Sequence, residues 1–210
     1  MGENLVENYG WSKEPEAVAS CGYIVPEILA ILKKLGVTRI LDIGAGNGKL
    51  CSVLATKGFQ IVGAEYDKEG VEIARLRYPQ ISFYRVDVSE DPALLMEHEE
   101  KFDAVVSTEV VEHLFSPHFL PIYAKAVLKD GGYLIVTTPY HGYIKNLLLS
   151  LFNKWDFHHT ALWHGGHIKF WSRATLSRLL EENGFDMVRF SGVGRLPYLW
   201  KSMVLVARKS

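Results

Sequence analysis

Arg39-Ile40-Leu41-Asp42-Ile43-Gly44-Ala45-Gly46-Asn47-Gly48-Lys49-Leu50 reads as a buried strand, a glycine turn and the first turn of a helix, which continues through Val53 and Leu54 at helical spacing. Glycines at 44, 46 and 48 let a ligand approach the backbone with no Cβ in the way, and a helix starting there aims its first amides at an anionic group. Pyridine-nucleotide enzymes use a related turn, but their fingerprint is GxGxxG, and Lys49 stands where the third glycine would fall. The spacing therefore disfavours a dinucleotide.

Outward from this turn the chain alternates short β-branched runs with amphipathic stretches. Gln60 to Glu65 is a second strand, followed by a helix through Val71, Ile73 and Ala74; Ile81 to Val86 is a third strand, Asp103 to Ser107 a fourth, and Tyr133 to Thr138 a fifth, entered by the turn Asp130-Gly131-Gly132. Strands separated by helices predict an α/β fold, a doubly wound and mostly parallel sheet covered on both faces. Ser172 is an N-cap for a helix burying Leu176, Leu179 and Leu180 and ending at Gly184; two further strands follow, Asp186 to Phe190 and Lys201 to Ala207, an antiparallel closing pair that brings the sheet to seven. Glu65 ends the second strand, where a carboxylate can accept from two ribose hydroxyls, and Asp87 ends the third, within reach of an adenine amino group. A solvated strand-end carboxylate is the plain alternative for each.

Composition narrows the function. The 210 residues carry 23 Lys+Arg against 24 Asp+Glu, a formal net charge of -1 that provides no global field for phosphate backbones, so a nucleic-acid partner is not expected. Cys21 and Cys51 lack CxxC spacing and suit a reduced cytoplasmic protein, both thiols being expected buried and inert. No apolar run approaches the ~18 residues of a membrane span, and the N-terminus has no signal-peptide core. One domain is expected over 1–210, with a helical extension at 1–34 and an insertion at 140–166.

Ile40 to Gly48, Glu65, Val86-Asp87-Val88 and Phe102 to Val106 together resemble the class I S-adenosylmethionine-dependent methyltransferases, a Rossmann-like fold. The resemblance implies S-adenosylmethionine as cofactor. It places Asp42 and Gly44 at the methionine portion, Glu65 at the ribose and Asp87 with Val88 at the adenine, with Gly46 and Tyr66 also at the cofactor and Glu109 beneath it as the alternative to a metal role. Tyr9 and Trp11 precede the fold where such enzymes often close over the cofactor.

After the fourth strand, Thr108-Glu109-Val110-Val111-Glu112-His113-Leu114 sets Glu109, Glu112 and His113 at i, i+3 and i+4, one face of a helical turn. Two carboxylates and an imidazole suit Mg2+, Mn2+, Fe2+ or Zn2+, with a fourth ligand from the five histidines between His141 and His167. A buried structural role for these residues is the competing reading. The segment is similar to ubiquinone-biosynthesis O-methyltransferases. Together with His167, four residues before Trp171, it is also similar to small-RNA 2′-O-methyltransferases, where an ExxEH set plus that histidine binds a divalent ion. The expected ligands are thus Glu109, Glu112, His113 and His167, with Mg2+ or Mn2+, and His113 or His167 serves as ligand or base. His164 is a lesser candidate, and His158 and His159 less again.

The expected activity is O-methylation of a small quinol-like, catechol or carboxylate/phosphonate acceptor by a monomer or homodimer. An RNA ribose methyltransferase and a non-catalytic cofactor-binding protein are the alternatives. A helix from Tyr143 to Phe152, apolar nearly all round, is read first as a lid and otherwise as a dimer contact or membrane flap anchored by Lys145 and Lys154.

Overall fold

The computed structural model describes residues 21–159 and 166–210. Its elements in order are α1 (Cys21–Leu35), β1 (Arg39–Ile43), α2 (Lys49–Thr56), β2 (Gln60–Glu65), α3 (Lys68–Arg77), β3 (Ser82–Arg85), α4 (Ala93–Met96), β4 (Phe102–Thr108), α5 (Phe119–Val127), β5 (Leu128–Pro139), α6 (Tyr143–Leu151), α7 (Trp155–His159), α8 (Arg173–Glu182), β6 (Phe185–Val193) and β7 (Ser202–Lys209). The sheet runs β3-β2-β1-β4-β5-β7-β6. Strands β1 to β5 pair in parallel, and β7 is antiparallel to both β5 and β6. The doubly wound, seven-stranded expectation holds. Because strand order reverses between β1 and β4, a crevice opens at their carboxyl ends, where ligands of such sheets bind.

Alternation along each strand feeds two cores. Ile40, Ile61, Phe83, Ala104, Val106, Ile135 and Val204 turn to a face covered by Ile24, Ile28, Ile31 and Leu32 of α1, Leu50, Cys51 and Leu54 of α2, and Val71 and Ala74 of α3. Leu41, Val62, Val105, Leu134, Val136 and Leu205 turn to the opposite face beneath Leu120, Tyr123 and Val127 of α5 and Leu176, Leu179 and Leu180 of α8. Helix α8 starts at a capping box formed by Ser172 and Thr175, and Gly184 beyond its end holds φ +80°, as its sequence implied.

Two local expectations fail. Asp130-Gly131-Gly132 is not a free turn but lies inside β5, whose pairing with β4 shifts register between Phe102 and Ala104 and so absorbs the extra residues. Thr108 to Leu114 is not helical: β4 ends at Thr108, and Glu109 stands at φ +55°, which breaks any helical face before it forms. Among the described residues no helix is long and apolar enough to cross a membrane.

Candidate active site

The glycine turn is held from both sides. Gly44 and Ala45 donate their amides to the Ala64 carbonyl at 2.8 and 3.0 Å. The buried Glu65 carboxylate, at the end of β2, accepts from the Gly46 amide through Oε2 and from the Asp67 amide through Oε1, both at 2.8 Å. Its first role is thus to clamp the turn, and each oxygen keeps a second lone pair for a ligand hydroxyl. Tyr66 is half exposed, with the Arg85 guanidinium over its ring. Asp87, partly buried, accepts from the Ser89 amide and hydroxyl through Oδ1, with Val88 packed on the core beside it.

Asp42 is buried at the end of β1. Its Oδ2 accepts from the Cys51 thiol at 3.2 Å, and its Oδ1 has no partner among the described residues. Burial pushes its carboxyl up to about 7, against a smaller opposing effect of the thiol. The Cys51 thiol is itself pushed up by burial and by Asp42, so it stays protonated and inert. Gly44 holds φ +81°, and a Cβ there would stand 2.2 Å from Val110 Cγ2. Gly44→Ala therefore combines backbone strain with a displaced Val110. A loss of about 2–4 kcal/mol in urea unfolding is expected, with weaker cofactor binding; an unchanged unfolding midpoint would contradict it.

Beyond β4 the two acidic residues part company. Glu109 turns to the sheet, where its carboxylate accepts from Thr137 Oγ1 at 2.9 Å and Ser202 Oγ at 3.2 Å. Glu112, almost wholly buried, accepts from Thr138 Oγ1 at 2.9 Å through Oε2, while Oε1 has no hydrogen-bond partner among the described residues. Burial raises the proton affinity of both, and for Glu112 the neighbouring Glu109 adds to it. His167 reaches Glu112 across 55 positions because the Ile168 and Lys169 amides both donate to the Glu112 carbonyl, each at 3.0 Å. The result is a cluster of Glu112, His113 and His167 whose ligand atoms lie within 4.8 Å of one another. His113 and His167 meet edge to face at 4.9 Å, and burial holds the His167 imidazole down at about 4, hence neutral at pH 7. Three of the four expected metal-ligand candidates converge; Glu109 is outside the cluster, because its left-handed backbone directs it to Thr137 and Ser202 instead.

A methyltransferase-domain family model matches residues 14–189 of this chain. The chain belongs to the class I S-adenosylmethionine-dependent methyltransferases. The ubiquinone biosynthesis O-methyltransferase of Ruegeria sp. (strain TM1040) is 33% identical over 169 residues, covering 78% of this chain and 66% of the relative. The chain spans between 40% and 66% of the length of the curated relatives it matches. Magnesium protoporphyrin IX methyltransferase from Synechocystis PCC 6803, solved with bound SAH, is similar with a TM-score of 0.67 at 18% identity, covering 89% of this chain and 82% of that one. The methyltransferase domain of bacterial CtHen1-CN is similar with a TM-score of 0.62 at 23% identity, covering 88% and 97%. These two likenesses establish the fold.

In the methyltransferase, several site residues carry no sequence signal on their own. Thr137 and Thr138, a hydroxyl pair ending an otherwise apolar strand, were readable as polar partners; Ser202 was not. Lys145, which only the membrane-flap alternative would have put at the surface as an anchor, is buried at 6% exposure, its ammonium donating to the Tyr140 carbonyl at 2.8 Å. Burial draws that ammonium down to about 8. Helix α6 is therefore inverted, with its one cation inside and Tyr143, Leu151 and Phe152 exposed at 80%, 69% and 67%. Tyr9, Trp11 and His164 lie outside the described residues.

Proposed function

We propose that this methyltransferase transfers the methyl group of S-adenosylmethionine to a hydroxyl oxygen of a small aromatic acceptor with two neighbouring oxygens, a catechol or quinol. In this reading Glu112, His113 and His167 hold a divalent ion, Mg2+ or Mn2+, in the acceptor site. The observation that carries it is the buried Glu112 Oε1, without a hydrogen-bond partner among the described residues, beside two imidazoles. A buried carboxylate in that state is satisfied by a cation. The cofactor side fits too: Asp42 Oδ1 is a buried acceptor without a hydrogen-bond partner among the described residues. Val110, packed on Gly44, and Glu112, two residues on, join the two halves.

S-adenosylmethionine supplies an electrophilic methyl on a sulfonium, and a divalent ion supplies charge that lowers the cost of ionising a hydroxyl. The chain's own residues do the rest. Asp42 accepts from the ammonium of the methionine portion, and the spare lone pairs of Glu65 accept from ribose hydroxyls. Asp87 and Val88 border the adenine. A neutral His167 offers a nitrogen lone pair to the ion or to the acceptor's proton, and His113 can take the other role. Thr137 and Ser202 hold Glu109 still beneath the cofactor. The insertion, docked through Lys145, closes the acceptor side against water, since transfer needs an in-line, dry approach.

One observation favours a second reading. The Glu112–His113–His167 cluster, with Trp171 four residues beyond His167, resembles in part the ExxEH-plus-histidine set of small-RNA ribose methyltransferases, Glu109 being turned away to Thr137 and Ser202, and a ribose likewise offers a vicinal diol. The formal charge of -1 weighs against it. Release of demethylated cofactor, measured with catechol-type acceptors and with an oligoribonucleotide, each with EDTA, Mg2+ or Mn2+, tests both. Metal-dependent turnover of the small diol is expected. Turnover unaffected by chelation would remove the metal role, and turnover of RNA alone would replace the acceptor.

A further inference from the structure

The insertion brings a second set of metal-binding side chains together, apart from the cluster just described. His141 follows β5 and is buried, its amide donating to the Trp171 carbonyl at 3.2 Å, so it belongs to the body of the fold. His158 and His159 end α7. The ring nitrogens of the three lie within 4.8 Å of one another. Ring centroids are 5.7 Å apart for His141 and His158, 5.6 Å for His141 and His159, and 5.0 Å for His158 and His159. His159 Nε2 is buried and has no hydrogen-bond partner among the described residues. Aromatic packing of His141 and His159 on Phe170, and of His159 on Trp155, accounts for their rings but leaves that nitrogen unpaired.

We propose that His141, His158 and His159 form a Zn2+ site, built from imidazole nitrogens alone, that fastens the Tyr143–His159 insertion to the end of β5. Three neutral nitrogens with no carboxylate among them suit a borderline-soft ion and not Mg2+ or Ca2+, which demand oxygen. Three protein ligands leave a fourth, open position, the arrangement of zinc sites that keep a water. Zinc at about 2.0–2.1 Å from each nitrogen needs only side-chain rotation of roughly 1 Å from the present spacing. Lys145, buried nearby with its ammonium donating to the Tyr140 carbonyl at 2.8 Å, is the charge that opposes an ion at the triad. The geometric consequence is a clip: α7 and the body are tied across the insertion whatever the acceptor is, so the site does not depend on the reading above.

The full chain, stripped with a chelator, is titrated with Zn2+ and with Co2+ as a spectroscopic probe, alongside His158→Ala/His159→Ala and Glu112→Gln. The wild type is expected to take up Zn2+ at the triad with the visible Co2+ absorption of a four-coordinate site. The double variant is expected to lose that absorption and about a hundredfold in Zn2+ affinity while keeping wild-type near-ultraviolet circular dichroism, and Glu112→Gln is expected to retain both. Zinc is also expected to slow proteolysis within 143–159 in the wild type but not in the double variant. Unchanged Zn2+ affinity in the double variant would overturn the proposal, as would loss of the Co2+ signal in Glu112→Gln, which assigns the ion to the other cluster. A double variant that fails to fold is replaced by His158→Gln, whose Zn2+ affinity must still fall.

Discussion

Asp42→Asn is expected to lose at least a hundredfold in S-adenosylmethionine affinity and yet to be the more stable protein at pH 8. The two effects share one cause. Asp42 is buried at the end of β1 with the Cys51 thiol as its hydrogen-bond partner among the described residues, so its charged form is costly, and its carboxyl rises from 3.8 to about 7. A folded-state value above the unfolded one means that the folded chain binds more protons between about pH 4 and 7. The stability due to this group is complete below that window and is lost as pH rises through it, by an amount on the order of 4 kcal/mol at pH 8. Asparagine keeps the shape and an acceptor for Cys51 but carries no charge to strand. Urea unfolding should therefore show the variant ahead of wild type at pH 8, with the gap narrowing as pH falls and closing below about pH 4. Calorimetry should show wild-type cofactor affinity weakening below about pH 7, because the carboxylate must be ionised to meet an ammonium. Cofactor binding by the variant within a few-fold of wild type would end the assignment of Asp42 to the methionine portion.

His113→Ala should leave cofactor affinity within a few-fold while reducing methyl transfer by two orders of magnitude or more, and added Mg2+ or Mn2+ should not restore it. His113 meets His167 and stands next to Glu112 but, unlike Asp42 and Gly44, does not form the glycine turn. A role confined to packing predicts a lower unfolding midpoint with proportionate loss of both properties. The split between kcat and cofactor Kd, read with metal titrations on the wild type, separates the two. Equal turnover by wild type and variant at saturating acceptor would dismiss the cluster from the reaction.

The cofactor half of this site was legible in the sequence because its determinants are local. A glycine turn, the strand before it and the helix after it are written within Arg39 to Leu54, and the acids follow at the ends of successive strands. The Ser172 cap and the Gly184 stop were legible for the same reason. The acceptor half was only partly so. An ExxEH spacing suggested one helical face, but the backbone at Glu109 enters the left-handed region and sends that carboxylate to Thr137 and Ser202, strand residues far away in the chain.

Periodicity and glycine spacing within Arg39–Ser107 thus sufficed for the doubly wound sheet and its cofactor edge, since burial alternates with period two along a strand whatever packs upon it. Long-range contact alone decided that Glu109 leaves the ExxEH set, that Lys145 enters an apolar insertion head first, and that His141, from the loop after β5, converges with His158 and His159 of α7. The partners in those contacts are chosen by which buried polar group lacks a neighbour once the chain has closed, and that is a property of the packed molecule, not of any segment.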